Sequence, residues 1–384
     1  MDSPSKIAEF LKNFKPILKI NSPGRINLIG EHTDYNLGFV MPSAIDKAII
    51  FQFSKNNHPT KCNIYSEDMN ELFSFDLTNV RKNKINWVNY LLGVVYGIQL
   101  VSEKLEGFDC ILKSDLPIGS GLSSSAAMEC GLGYGLNELF NLGLTKLQII
   151  EIGQKAEHEF VGTKCGIMDQ YASVMSEKGS ALLLDCKSIE HQNVPINLDP
   201  YQLLLLNTNV SHNLASSEYN TRRNECAKGV KILKERLPEI SSLRDITIDD
   251  LNLYGKYLPE MILRRCQFVV EENDRVLKTR EALKNNDLIE FGRLLSGSHR
   301  GLSTQYEVSC LELDFLHEYG KTKSFILGSR MMGGGFGGCT INLIHKKNVH
   351  VYVAEISKAY KEKFNRDLWI IPVNLSSGTS IIRS

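Results

Sequence analysis

This chain of 384 residues has no excess charge of either sign: 44 basic side chains meet 44 acidic ones, for a formal net charge of zero. Nucleic-acid-binding proteins usually carry a basic footprint, so that class of partner is disfavoured. Its nine cysteines are scattered singly, with no Cys-x-x-Cys pair. That argues against a zinc framework or a disulfide scaffold and reads as reduced thiols in a cytoplasmic protein. No apolar run approaches the ~20 residues a membrane span needs. The N-terminus interleaves Lys6, Glu9, Lys12 and Lys15 with apolar residues, so no signal peptide is expected. Several common site motifs are missing too. A Walker A loop needs Gly-x-x-x-x-Gly-Lys-[Ser/Thr], and the nearest approach, Gly320-Lys321-Thr322, has Phe315 where the first glycine belongs. The protein-kinase motif set and a His-Glu-x-x-His zinc helix are absent.

What remains is an ordinary globular composition, 42% hydrophobic and 23% charged, long enough for two or three domains at roughly 150 residues each. Glycine is concentrated in informative places. Leu116-Pro-Ile-Gly-Ser-Gly-Leu-Ser-Ser-Ser-Ala-Ala127 runs from a strand pattern into a helix pattern. Gly119 and Gly121 can adopt backbone angles closed to other residues, which lets consecutive N–H groups point into one concavity. The helix behind adds unpaired N–H groups and the positive end of its dipole, making an anion site suited to phosphate. A second cluster, Gly333-Gly-Gly-Phe-Gly-Gly338, satisfies the dinucleotide fingerprint, but Cys339-Thr-Ile-Asn-Leu-Ile344 alternates like a strand where that fingerprint requires a helix. It reads as a tight turn whose backbone approaches something closely.

The rest of the chain mixes helix and strand patterns, so the fold class is α+β. Helices are expected over residues 5–14, 85–101, from Ser125 onward, from the capping box Thr145–Gln148 to about Phe160, over 166–175, through much of 216–295, and over 354–364. Strands are expected over 18–29 with a break at Pro23-Gly24, 39–53, 108–114, 180–185, 201–208, 324–332, 339–344 and 368–373. In the helix after Ser125, Gly131, Gly133 and Gly135 each cost ~1 kcal/mol against alanine, which implies close packing on another element. On the 166–175 helix, Ile167, Tyr171 and Val174 share one side, and Asp169 and Ser173 face away from it. The best domain boundary lies near 180–200, where Pro195 and Pro200 flank polar residues, dividing the chain into residues 1–190 and 191–384, with the last ~15 residues free to return to the first unit.

Three glycine-rich elements thus stand far apart: Pro23-Gly-Arg-Ile-Asn-Leu-Ile-Gly-Glu-His-Thr-Asp-Tyr-Asn36, then 116–127, then Gly328–Cys339. In order and spacing they resemble the GHMP family of small-molecule kinases, and the first is close to the galactokinase signature. Gly162–Gln170, ending Cys-Gly-Ile-Met-Asp-Gln, and Ser217–Cys226 are also similar to galactokinase segments. The resemblance implies a two-domain GHMP fold, an N-terminal lobe like ribosomal protein S5 and a ferredoxin-like C-terminal lobe, with the site in the cleft between them. It implies MgATP and a sugar, α-D-galactose, as the bound partners of a cytoplasmic monomer. By resemblance Glu31, His32 and Asp34 hold the sugar, with Gly166 and Tyr219 contributing. Carboxylates beside an imidazole suit hydroxyls that both donate and accept. Asp169 is the candidate base for the attacking hydroxyl, and Arg25 is expected between Asp169 and the γ-phosphate, offsetting developing charge. Gly119, Ser120, Gly121, Leu122, Ser123, Ser124 and Ser125 would cradle the ATP phosphates, with Trp87 near the adenine. Ser125 and Glu157 would hold Mg²⁺, a hard cation that takes oxygen ligands. Alternatives left open are a kinase for N-acetylgalactosamine or L-arabinose, and a non-catalytic galactose sensor. Departures from the family pattern are small: Leu37, Lys164, Ser329 and Met332, of which Lys164 is the one expected near the sugar pocket.

Overall fold

The computed structural model describes residues 4–117, 119–210 and 215–383. Ile118 of the glycine-serine loop and the side chain of Ser217 lie outside them. In chain order come helix α1 (Pro4–Asn13) and strands β1 (Leu18–Asn27), β2 (Phe39–Val40), β3 (Pro42–Lys55), β4 (Lys61–Ser66) and β5 (Glu71–Asp76). Next are α2 (Asn86–Gln99), β6 (Phe108–Ser114), α3 (Ser124–Phe140), α4 (Lys146–Ala156) and α5 (Met168–Met175). Then follow β7 (Ser180–Asp185), β8 (Glu190–Pro195), β9 (Tyr201–Asn207), and a helical stretch of α6 (Ala215–Leu233), α7 (Ile248–Tyr254), α8 (Glu260–Lys284), α9 (Leu288–Thr304) and α10 (Leu311–Lys321). The chain ends with β10 (Ile326–Met331), β11 (Cys339–His345), α11 (Val349–Phe364), β12 (Trp369–Pro372) and β13 (Ser380–Ile381).

Among the described residues three sheets result. The largest has the order β13-β1-β3-β6-β4-β5, a second is β10-β11-β9-β12, and a third is β2-β7-β8. The last strand returns to the first, Ile20 pairing with Ile381. Helix α3 lies on the six-stranded sheet, and here the mid-helix glycines find their reason. A Cβ at residue 131 would sit 2.2 Å from the Phe51 ring, and one at residue 135 would sit 2.1 Å from the Phe53 ring. The two rings stack 5.9 Å apart and occupy the space a side chain on α3 would need. Gly135→Ala therefore destabilises the protein by about 1–3 kcal/mol, because overpacking exceeds the ~1 kcal/mol gain in helix propensity. Urea denaturation checks this, and a stabilised variant would contradict it.

Two local departures from the sequence reading shape the site. The break at Pro23-Gly24 is a bulge inside a continuous strand: the β1–β3 register shifts between Pro23 and Arg25. Bulges re-aim the side chains that follow, here Arg25. The helix expected to reach Phe160 is α-helical only to Ala156 and widens into a π-turn over Glu157–Val161, closed by Gly162 at φ 97°. Such turns reorient side chains without ending the helix. Glu157 is buried by it and does not lie on an exposed helix face.

Candidate active site

The three glycine-rich elements converge at Arg25. Its backbone N–H donates to the Leu122 carbonyl at 3.0 Å. Its guanidinium forks onto Asp169, Nε to Oδ1 at 2.8 Å and Nη2 to Oδ2 at 3.0 Å, while Nη1 donates to the Gly121 carbonyl at 2.5 Å. Bidentate charge-assisted pairs of this kind fix geometry as well as charge. Ser123 Oγ donates to Asp169 Oδ2 at 2.5 Å. Asp169 lies in the first turn of α5, and Ser173, one turn later, donates to the Pro23 carbonyl at 2.8 Å. That face of α5 is thus docked on β1. The opposite face, Ile167, Tyr171 and Val174, packs with Leu182 and Leu184, as the periodicity predicts. Burial works to lower the Arg25 pKa, but Asp169 and then Glu31 raise it, and they prevail.

Two cavities open on either side of the Arg25–Asp169 pair. One is lined by Glu31, His32, Asp34, Cys165, Met168 and Tyr219, the other by Tyr90, Pro117 and the loop residues Gly119 to Ser125; both include Arg25, Asp169, Gly333 and Gly334. On the loop side, Gly119 and Gly121 have φ of 72° and 74°, and Ser123, the residue capping α3, is left-handed at φ 55°. The first N–H groups of α3 are left without intrahelical partners at this end. Glycine adopts both bends without strain, and the loop borders the second cavity.

On the other side, Glu31 Oε1 accepts from Gly333 N at 2.8 Å and from Arg330 Nη2 at 3.1 Å. Asp34 Oδ1 accepts from Tyr35 N at 2.8 Å. Burial, and then the nearby Asp169, push Asp34 up to about 7. Burial and Arg222 push His32 down to about 3, so its imidazole is neutral. The Tyr219 ring lies 5.4 Å from that of His32. Gly166 does not line the cavity. It stands behind Asp34, where a Cβ would come within 2.0 Å of Oδ2, so its contribution is to let Asp34 sit where it does. Lys164 is exposed and its carbonyl accepts from Arg223 Nη1 at 2.5 Å. Cys165 lines the cavity in its place.

The raised Asp34 predicts a pH dependence. Between the ordinary aspartate value and about 7 the folded protein holds a proton that the unfolded chain releases, so stability falls as pH rises through that window. Asp34→Asn should remove part of that fall, on the order of a few kcal/mol, in urea titrations at acid and neutral pH. Parallel curves for the two proteins would refute the assignment.

Glu157 Oε2 accepts from Gln170 Nε2 at 3.1 Å, and the same amide donates to Glu129 Oε2 at 2.9 Å. Burial and then Asp169 push Glu157 up to about 7, with the Ser125 hydroxyl acting in the other direction as a donor to it. Glu157 and Ser125 thus present hard oxygen donors beside the loop, a set that fits a divalent cation such as Mg²⁺. Trp87 lines neither cavity. Its Nε1 donates to Glu71 Oε2 at 2.8 Å, and its ring borders a separate open hollow with Ile7, Phe73 and Ile85. Tyr90, one turn along α2, borders the loop cavity.

Sequence reasoning missed four participants. Tyr35 lies inside the polar run already singled out and Gln170 directly follows Asp169, so proximity was a usable signal for both. Arg330 lies inside the Gly328–Cys339 run and carried the same signal, whereas Tyr306, whose hydroxyl lies 2.8 Å from that of Tyr35, carried none.

Three family descriptions match in order along the chain: the galactokinase galactose-binding signature over residues 8–55, the GHMP kinase N-terminal domain over 89–177, and the GHMP kinase C-terminal domain over 279–362. A galactokinase from Thermotoga neapolitana is 40% identical over 95% of this chain and 100% of its own length. The chain belongs to the galactokinase family. A second family member, from Chloroflexus aurantiacus, is 41% identical over 94% of this chain and 92% of its own. Among solved structures, the Lactococcus lactis galactokinase complexed with galactose superposes with a TM-score of 0.93 at 34% identity, covering 98% of both chains. A mevalonate kinase matches at a TM-score of 0.60 with 22% identity, a likeness of fold alone. The galactokinase family is therefore reached by sequence and by shape, within the two-domain GHMP architecture. Among the described residues no helix is long and apolar enough to cross a membrane.

Proposed function

We propose that this chain transfers the γ-phosphoryl group of ATP to the anomeric hydroxyl of α-D-galactose, giving α-D-galactose 1-phosphate and ADP. The observation that carries this reading is the Arg25–Asp169 pair, a wall common to a polar cavity and a helix-capping glycine-serine loop. A sugar in the first and a triphosphate in the second would meet there.

Phosphoryl transfer asks a protein mainly for positioning and charge stabilisation. The loop N–H groups and the start of α3 bind the phosphates. Arg25 meets the charge that develops on the transferring group. Asp169 accepts the proton of the attacking hydroxyl, and the hydrogen bonds from Arg25 and Ser123 orient its carboxylate for that task. Glu31, His32, Asp34 and Tyr219 hold the sugar. Trp87 borders the adenine, one helical turn from Tyr90 at the phosphate loop. Mg²⁺ held by Ser125 and Glu157 would neutralise phosphate charge. The reading includes a monomer in the cytoplasm, in keeping with nine free cysteines.

A panel of galactose, N-acetylgalactosamine and L-arabinose with coupled ADP detection tests the substrate. Galactose should give the highest kcat/KM. A rival sugar turned over far faster would remove the galactose assignment, and no turnover of any sugar would favour a sensor.

A further inference from the structure

The loop from Gly30 to Phe39 carries Glu31, His32 and Asp34. Two of its non-glycine residues are left-handed, His32 at φ 61° and Leu37 at φ 57°. Backbone of that kind persists only where its surroundings over-determine it. Part of the restraint is local. Met41 N donates to the Ile29 carbonyl and Leu28 N to the Met41 carbonyl, both at 3.0 Å, closing the neck of the loop. Thr33 Oγ1 lies 2.8 Å from the Gly30 carbonyl and 2.6 Å from that of Phe39. Gly38 N donates to the Thr33 carbonyl at 2.8 Å.

The rest of the restraint comes from α8, across 242 and 234 positions. Two consecutive residues of that helix take the N–H groups at the two ends of the loop. Gly30 N donates to Glu272 Oε1 at 3.0 Å, and Phe39 N donates to Asn273 Oδ1 at 2.9 Å. Each donor is a backbone N–H, so the direction of both bonds is fixed. Both side chains are buried, and neither residue lines either cavity. The fit is close at both ends. A Cβ at residue 30 would come within 2.9 Å of Val276 Cγ2, and one at residue 38 within 2.2 Å of Asn273 Oδ1. Glu272 is itself locked: Ser298 Oγ donates to Oε1 and Arg275 Nε to Oε2, each at 2.6 Å.

We propose that Asn273, with Glu272 beside it, is a positioning residue for the sugar, through which α8 sets the shape of the loop and so the places of Glu31, His32 and Asp34. The proposal rests on the galactose reading above. Hydroxyls are told apart by hydrogen bonds whose protein partners must hold their positions closely. The glycine-serine loop is anchored elsewhere, on Arg25 and Asp169, so loosening the sugar loop leaves the nucleotide side in place.

Asn273→Leu keeps the branched shape but has no acceptor, and it leaves the Phe39 N–H unpaired. Amide exchange over residues 30–39, read by mass spectrometry with no substrate present, should quicken about 3- to 10-fold. Galactose KM should rise about 3- to 10-fold with the ATP KM little changed. Asn273→Asp keeps an acceptor in the same place and should restore both readings. Glu272 also ties α8 to α9 through Ser298, so its replacement would not separate positioning from packing. Leu283→Ala, buried in the last turn of α8, makes that separation: it should lower stability without raising the galactose KM. Asn273→Ala provides the same readings should Asn273→Leu fail to fold. An unmoved exchange rate, an unmoved galactose KM, an ATP KM that rises in step, no restoration by aspartate, or an equal rise in Leu283→Ala each overturns the proposal. Failure of the galactose reading is seen separately, as absent galactose turnover by the wild-type protein.

Discussion

Asp169→Asn should bind galactose and MgATP nearly as well as the parent protein yet turn over at least ~10²-fold more slowly. The substitution is close to isosteric, and the amide oxygen still accepts a hydrogen bond. What it loses is basicity and one of the two carboxylate oxygens, which between them receive Nε and Nη2 of Arg25 and the Ser123 hydroxyl. A ~10²-fold loss is about 2.7 kcal/mol of transition-state stabilisation. Placed in kcat with binding unchanged, it marks an interaction made only in the transition state. Coupled ADP release gives kcat and calorimetry gives the two affinities. Turnover within a few-fold of the parent would remove Asp169 from the chemistry. A matched loss of galactose affinity would turn it into a binding residue.

Arg330→Met should cost about 3–5 kcal/mol of stability, the range for breaking a buried ion pair from one side. Arg330 is fully buried. Its Nε donates to the Leu28 carbonyl and its Nη1 to the Met331 carbonyl, both at 2.7 Å, and its Nη2 donates to the Asn27 carbonyl and to Glu31. Methionine fills the volume but leaves a buried carboxylate and several carbonyls with fewer donors. Arg330→Lys should rescue little, since a single ammonium does not reproduce a planar fork across four acceptors. Because Glu31 lines the polar cavity proposed to take the sugar, galactose KM should rise along with the loss of stability. Denaturant titration and steady-state kinetics together check this. A change below about 1 kcal/mol would mean that the fork is not holding the two segments together.

Much of the architecture was legible because its signals are local. Helix α2 was visible in the spacing of Trp87, Leu91, Val94, Val95 and Ile98, all buried. The start of α4 was visible in Thr145 and Gln148, which form the expected reciprocal cap. Strands β4 and β5 went unread although Cys62 and Ile64 alternate with Asn63, while the other unread elements lacked such signals. Strand β8 carries Glu190, His191 and Gln192 exposed in a row, with no alternation to mark it, and is a strand because β7 offers it a paired edge. Helix α10 buries only Leu313, Leu316, His317 and Gly320. β13 is two residues long and exists through its pairing with β1.

By itself the sequence determined the family, the glycine-serine loop and the polar run Glu31-His32-Thr-Asp34, because each is written in covalent neighbours whose spacing limits what they can do. Tertiary structure alone decided the partners: Arg25 with Asp169 across 144 positions, Tyr35 with Tyr306 across 271, and Glu31 with Arg330 across 299. Those pairings depend on where whole helices and sheets come to rest. That is set by shape and burial summed over many residues, as when Gly131 and Gly135 let α3 settle on two phenylalanines. No short window of residues carries that sum.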